Sequence, residues 1–194
     1  MAGRGERPVP GARPAAVGAA PPDPAPGSPA AGDPGRAVGT VKQATPERPY
    51  KRPESVLILV CTRAGEVLLM ERTRPHGFWQ SVTGSLGWGE SARAAAAREL
   101  VEETGLRAGL GQLVDLHRGE RFPIIPPWRA RYAPEAHFNR EHWFLFELPG
   151  RRSIRLNPRE HRQFRWLSGA EAARRATSWT NRKLIRAWFG RLRG

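Results

Sequence analysis

Cysteine is nearly absent: Cys61 is the only one in 194 residues. One thiol excludes an intrachain disulfide and a zinc site built from cysteines. It makes a reducing, cytoplasmic compartment the expectation. Cys61 closes the apolar run Ser55–Cys61, so its expected role is that of a small buried hydrophobe. Long apolar runs are missing too. None approaches the ~20 residues of a membrane span, and no membrane partner is expected. Acidic residues are scarce beside basic ones, 18 against 32, for a net charge of +14. That excess favours anionic partners without choosing among phosphorylated small molecules, nucleic acid and acidic surfaces.

Residues 1–49 lack aromatics, leucine and isoleucine, and 30 of these 49 positions are Pro, Ala or Gly. Such a segment cannot bury enough apolar area to offset its ordering entropy, so a disordered tail is expected. It holds no continuous apolar stretch for a secretory signal, and its prolines oppose a transit-type amphipathic helix. Its own charge is +2, which leaves +12 for residues 50–194. That remainder has the length of one cored domain, and nothing in it fixes an oligomeric state.

From Tyr50 the texture changes. Ser55–Cys61 and Glu66–Glu71 read as strands joined by a hairpin turn at Ala64-Gly65. Trp79–Thr83 reads as a third strand and Gly84–Gly89 as a loop. Ser91 is placed to cap a helix over Ala92–Glu103, with Gly105 at its left-handed end. Further strands are expected at Leu113–Leu116, His142–Glu147 and Phe164–Leu167, and helices at Gly169–Arg175 and Asn181–Leu192. Strands follow strands before a helix intervenes, which points to an α+β sandwich.

The chemistry concentrates at residues 84–106. Glu99, Glu102 and Glu103 recur at i, i+3 and i+4, a spacing that gathers carboxylates on one helix face. No Lys or Arg lies between them to relieve the repulsion. A hard divalent cation would do so, and the bland alternative is a solvated acidic face. Gly84, Gly87 and Gly89 precede the helix, in a loop whose backbone N–H groups can approach an anion. Arg98 can pair with Glu90. Written out, the pattern is Gly84, five residues, Glu90, seven residues, Arg98-Glu99-Leu100, one residue, Glu102-Glu103, one residue, Gly105-Leu106.

This pattern resembles the signature of the Nudix hydrolase family. The resemblance implies a Nudix-type α/β/α sandwich with a mixed sheet over residues 50–194. It implies hydrolysis of a diphosphate linkage with Mg²⁺, or alternatively Mn²⁺. Glu99 and Glu103 would ligate metal, Glu102 would join through water or act as base, and Arg98 and Glu90 would orient the ligands. Outside the motif, Tyr50–Pro53, Phe78–Ser85, Arg131–Pro134 and Ser178–Arg182 resemble the family's bacterial dihydroneopterin triphosphate diphosphatase branch. That branch serves folate biosynthesis, leaving the monophosphate and pyrophosphate.

The same resemblance implies substrate contacts at Lys51, Arg72, Thr83, Phe122, Pro123, Ile124, Ile125 and Ser178. It implies that Glu160 binds metal or activates water. The plainer roles are solvated charge for Lys51 and Arg72, an ordinary strand residue for Thr83, a helix cap for Ser178 and a loop carboxylate for Glu160. Two features depart from the branch: Pro126-Pro127 follow Ile125, and Trp88 stands where the branch is acidic.

The five histidines show no i, i+4 pair and are expected to be bystanders. Leu184, Ile185, Trp188, Phe189 and Leu192 form a helical stripe expected to close the sandwich rather than lie on a membrane. Two rival functions stand beside the first. One is another Nudix pyrophosphohydrolase acting on nucleotides or RNA 5′ ends. The other is a non-catalytic nucleic-acid-binding module, opposed by the full set of motif carboxylates.

Overall fold

The structure, a computed structural model, describes residues 50–126 and 128–191. The tail expected over residues 1–49, Pro127 and Leu192 lie outside the described residues. Seven strands form one mixed sheet: β1 (Glu54–Thr62), β2 (Glu66–Arg72), β3 (Trp79–Gln80), β4 (Val82–Ser85), β5 (Gln112–Pro123), β6 (Phe138–Leu148) and β7 (His161–Ser168). Among the described residues, three α-helices complete it: α1 (Ala92–Thr104), α2 (Gly169–Arg175) and α3 (Trp179–Arg191).

β1 is the centre. It is β-branched and aliphatic, which suits a strand buried on both faces, and Val56 through Cys61 are all essentially inaccessible. Along one edge it pairs parallel with β6, from Glu54–Arg140 to Thr62–Leu148. Side chains alternate between faces, and each face builds its own core. Val56, Ile58 and Val60 pack with Ala95, Ala96 and Leu100 of α1. Leu57, Leu59 and Cys61 pack with Ala172 and Ala173 of α2 and Leu184 and Ile185 of α3. The expected α/β/α sandwich follows from that alternation, and α3 closes it with its apolar face. No helix among the described residues is long and apolar enough to cross a membrane.

Local chemistry sets the element ends. Gly65 turns the first hairpin at φ +83°. Ser91 caps α1 by accepting the Ala94 N–H at 3.2 Å. Gly105 ends it at φ +72°, donating to the Val101 carbonyl at 2.9 Å.

Three expectations are corrected. Trp79–Thr83 is not one strand: β3 runs in along β2, the chain bends at Ser81, and β4 runs out along β1 to Ser85. Asn181 Oδ1 on α3 accepts the Ser81 N–H at 2.7 Å and anchors the bend. Gly84, expected to open the loop, therefore lies within β4, and the loop opens only after Ser85. The strand expected at Leu113–Leu116 continues to Pro123, because a bulge between Asp115 and Gly119 interrupts its pairing and its alternation. β6 likewise begins at Phe138, four residues before the expected His142, along a run of polar residues with no apolar alternation to mark it.

Ile185 is fully buried between α3 and the sheet, whereas Leu110 is 40% exposed. Ile185→Ala is expected to cost about 2–5 kcal/mol in urea unfolding, and Leu110→Ala under about 0.5 kcal/mol.

Candidate active site

The site begins where β4 meets α1. Glu99 projects from α1 onto the backbone of Gly84, where any Cβ would lie 1.9 Å from Glu99 Cδ and 2.0 Å from its Oε1. The carboxylate cannot simply swing aside, because Arg98 Nη1 donates to Glu99 Oε1 at 2.6 Å. Glycine is thus required here for close approach, not for backbone freedom.

Arg98 organises the loop as well. It grips Glu90 with two parallel bonds, Nε to Oε1 and Nη2 to Oε2, each 3.0 Å, and Nη2 also reaches the Ser85 carbonyl at 3.0 Å. Glu90 Oε2 accepts the Gly87 N–H at 2.8 Å. Arg52 binds the same turn from the entering chain, donating to the Glu90 carbonyl at 2.7 Å. These bonds hold Glu90 well below the usual carboxylate range, with Arg98 the largest cause, and Arg98 correspondingly far above its own. The pairing of Arg98 with Glu90 is as the sequence predicts.

The three helix carboxylates divide. At about 100° per residue, Glu103 lies 40° from Glu99 while Glu102 lies 60° the other way. Glu99 and Glu103 are accordingly buried, and the Glu102 side chain is 52% exposed, 3.3 Å from Arg98 Nη1. The relieving cation that the sequence lacks between them is supplied by Arg98, just before them.

Glu103 packs against β7. Its Oε2 is 3.3 Å from His161 Nε2 and accepts the Thr83 N–H at 3.4 Å. One donor atom each from Glu103, Glu160 and His161 lies within 4.8 Å of the others. Glu160 is held by the Asn157 amide, which donates to Oε1 at 2.9 Å. His161 was expected to be a bystander, yet it is buried in this group. Its signal is adjacency to Glu160, invisible to an i, i+4 search. Burial, then repulsion from Glu103, push the Glu99 pKa up to about 8 against the pull of Arg98. A divalent cation would relieve both causes. Oxygen donors crowded beside a glycine backbone fit a hard ion of that kind.

Beside these carboxylates lies a cleft of about 210 Å³. Lys51, Arg72, Thr83, Ser178, Glu160 and Phe122 through Ile125 all line it, as does Glu99. Arg98, Glu90, Glu102 and Glu103 do not line it. Arg72 is buried, a cation facing the cavity. Phe122 stands edge-on to Trp179, with centroids 6.5 Å apart. Ser178 serves the plainer role too, accepting the Asn181 N–H at the start of α3 at 3.4 Å. Trp88 is 68% exposed and donates its indole N–H to the Tyr50 carbonyl at 2.9 Å, tying the loop to the entering chain. The cleft also takes in Ser55, Asn139, Glu141 and Asn181, which the sequence reading missed.

The NUDIX domain model matches residues 51–189, nearly all of the described chain. The chain belongs to the Nudix family. It is 39% identical over 142 residues to the dihydroneopterin triphosphate diphosphatase of Escherichia coli K12, covering 72% of this chain and 93% of that protein. The enzyme of that name from Haemophilus influenzae is 35% identical, over 74% of this chain and 92% of its own length. The solved E. coli dihydroneopterin triphosphate pyrophosphohydrolase superposes with a TM-score of 0.65 at 38% identity, covering 72% of this chain and 97% of that one. An RNA pyrophosphohydrolase of Sphingopyxis alaskensis is 32% identical over 59% of this chain and 76% of its length. As a Nudix hydrolase, the chain carries the family's use of divalent metal ions, and its acidic group is the candidate place for one.

Metal-free protein is expected to be pH-sensitive through Glu99. The folded pKa of about 8 lies above the ordinary 4.5. Stability from holding that proton is fully present below 4.5 and is lost as pH rises through about 8. Thermal melts in chelator should fall across that window, and a divalent cation should flatten the fall. Level melts in chelator would contradict the account of Glu99.

Proposed function

We propose that this Nudix hydrolase is a Mg²⁺-dependent pyrophosphohydrolase whose substrate is dihydroneopterin triphosphate, releasing pyrophosphate and the monophosphate for folate biosynthesis. The observation that carries the substrate is combined: relatives of that name match nearly their full length, and the cleft joins cationic and carboxylate residues to an apolar wall. The RNA pyrophosphohydrolase relatives cover less of this chain, which favours a small phosphorylated substrate over nucleic acid.

In this reading Glu99, Glu103 and Glu160 hold the ion, Mg²⁺ or Mn²⁺. A divalent cation held by these residues would neutralise phosphate charge and acidify a bound water. Arg98 fixes Glu99 from below and, through Glu90, fixes the loop that ends β4. Lys51 and Arg72 contact phosphate oxygens. Thr83 and Ser178 offer hydroxyls along the cleft, and Phe122 to Ile125 supply an apolar wall for a flat ring. Water attacks one phosphorus of the α–β bridge in line, the bridging P–O bond breaks so that the monophosphate and pyrophosphate separate, and Glu160 accepts the water's proton. Glu160 is favoured over Glu102 because it lines the cleft and its carboxylate is oriented by Asn157, whereas Glu102 points outward to Arg98.

Pyrophosphate release from a panel of dihydroneopterin triphosphate, nucleoside triphosphates and a 5′-triphosphorylated RNA tests the reading. Dihydroneopterin triphosphate should give the highest kcat/KM, and chelator should abolish turnover. Glu103→Gln should lose more than about tenfold in rate, or ~1.4 kcal/mol, with its melting behaviour kept. A higher kcat/KM on RNA would overturn the substrate, and a fully active Glu103→Gln would overturn the metal assignment.

A further inference from the structure

On the face of the sheet that packs against α3, β1 presents Ser55, Leu57, Leu59 and Cys61, and β6 presents Asn139, Glu141, Trp143 and Leu145. On this face both strands are apolar through their middles and polar at their N-terminal ends. The polar ends are buried all the same: Asn139 and Glu141 are each 5% exposed, and both line the cleft.

Glu141 pairs in register with Ser55 on β1 and with Glu120 on β5. Trp143 Nε1–H donates to its Oε1 at 2.9 Å, and the Thr180 hydroxyl donates as well. No cation lies within ion-pair distance of it among the described residues; Lys183 is taken by Glu120. A carboxylate offers about four lone-pair positions, so two donors leave acceptor capacity at the cleft. Asn139 adds more. Its amide N–H donates to Ser55 Oγ at 2.7 Å, while its Oδ1 is buried with no hydrogen-bond partner among the described residues. Buried acceptors left unmatched are destabilising unless a ligand supplies donors.

The wall therefore asks for a flat group rich in N–H. A cyclic guanidine edge, a ring N–H beside an exocyclic amino group, meets that demand. It occurs in 2-amino-4-oxo heterocycles such as pterins and guanine. Adenine instead places a ring-nitrogen lone pair beside its amino group and would face the carboxylate with it. We infer that Glu141 and Asn139 are the ring-reading residues of this cleft, Glu141 accepting the ring N–H and one amino N–H and Asn139 Oδ1 accepting the other. This rests on the proposed function for the identity of the substrate, but not for the class of ring.

Two variants and two readouts test it. Glu141→Gln keeps size and the acceptor for Trp143, and replaces one acceptor oxygen by a donor; Asn139→Ala removes the open carbonyl. Binding of neopterin, which carries no phosphate, is followed by its fluorescence in chelator, so the metal cluster plays no part. Wild type should bind it, Glu141→Gln about tenfold more weakly or worse, and Asn139→Ala about threefold more weakly. In turnover, Glu141→Gln should lose at least about tenfold in kcat/KM on dihydroneopterin triphosphate and GTP, mainly through KM, and less than about twofold on ATP. Should Glu141→Gln fail to fold, Asn139→Ala carries the same contrast. Equal losses on GTP and ATP, or unchanged neopterin binding in a folded variant, would overturn the assignment. Turnover of GTP but not dihydroneopterin triphosphate, with the GTP–ATP contrast intact, would remove the proposed substrate and leave the ring reading standing.

Discussion

The contact on which the site depends is the Glu99 carboxylate lying on the backbone of Gly84. It brings β4 against α1 more closely than any side chain at position 84 would permit. Arg98 locks it from one side and ties Glu90, the Ser85 carbonyl and Glu102 into the same network. Repulsion among like charges is thereby confined. Glu102 is turned out to solvent, and only Glu99 and Glu103 remain buried together. Burial first, and then repulsion from Glu103, raise the pKa of Glu99, and a divalent cation held there would relieve both.

The sheet supplies the frame. β1 is buried on both faces, and each face meets a different helix layer. One layer brings the α1 carboxylates. The other brings α3, whose first turn anchors the Ser81 bend through Asn181 and presents Ser178 to the cleft. Glu160 and His161 arrive on β7 and its approach, and reach Glu103 from the strand beyond. The cleft is the place where these parts converge and where the core-facing positions of β1 and β6 turn polar.

What could be read from the sequence was local. Glycine, arginine and glutamate spacing within 84–106 is a helix and its preceding turn, so the Arg98–Glu90 pair and both caps of α1 follow from positions alone. The outward turn of Glu102 was available from helix geometry but is masked when three carboxylates are counted as one face. What could not be read was long-range. Asn139 and Glu141 sit in a polar run, Phe138 to His142, without apolar alternation, and their burial depends on β6 pairing between β1 and β5 and on α3 packing over the same face. The strand beyond Leu116 is hidden by a bulge. His161 acquires its place through Glu103, 58 positions earlier in the chain.

The central claim is that Glu99, Glu103 and Glu160 share one hard cation. Anomalous diffraction from crystals soaked in Mn²⁺ tests it most directly. The account predicts a peak in bonding contact, about 2.0–2.3 Å, with carboxylate oxygens of these residues and beside the Gly84 backbone. Manganese bound elsewhere, or a cluster left without a peak at saturating Mn²⁺, would contradict it.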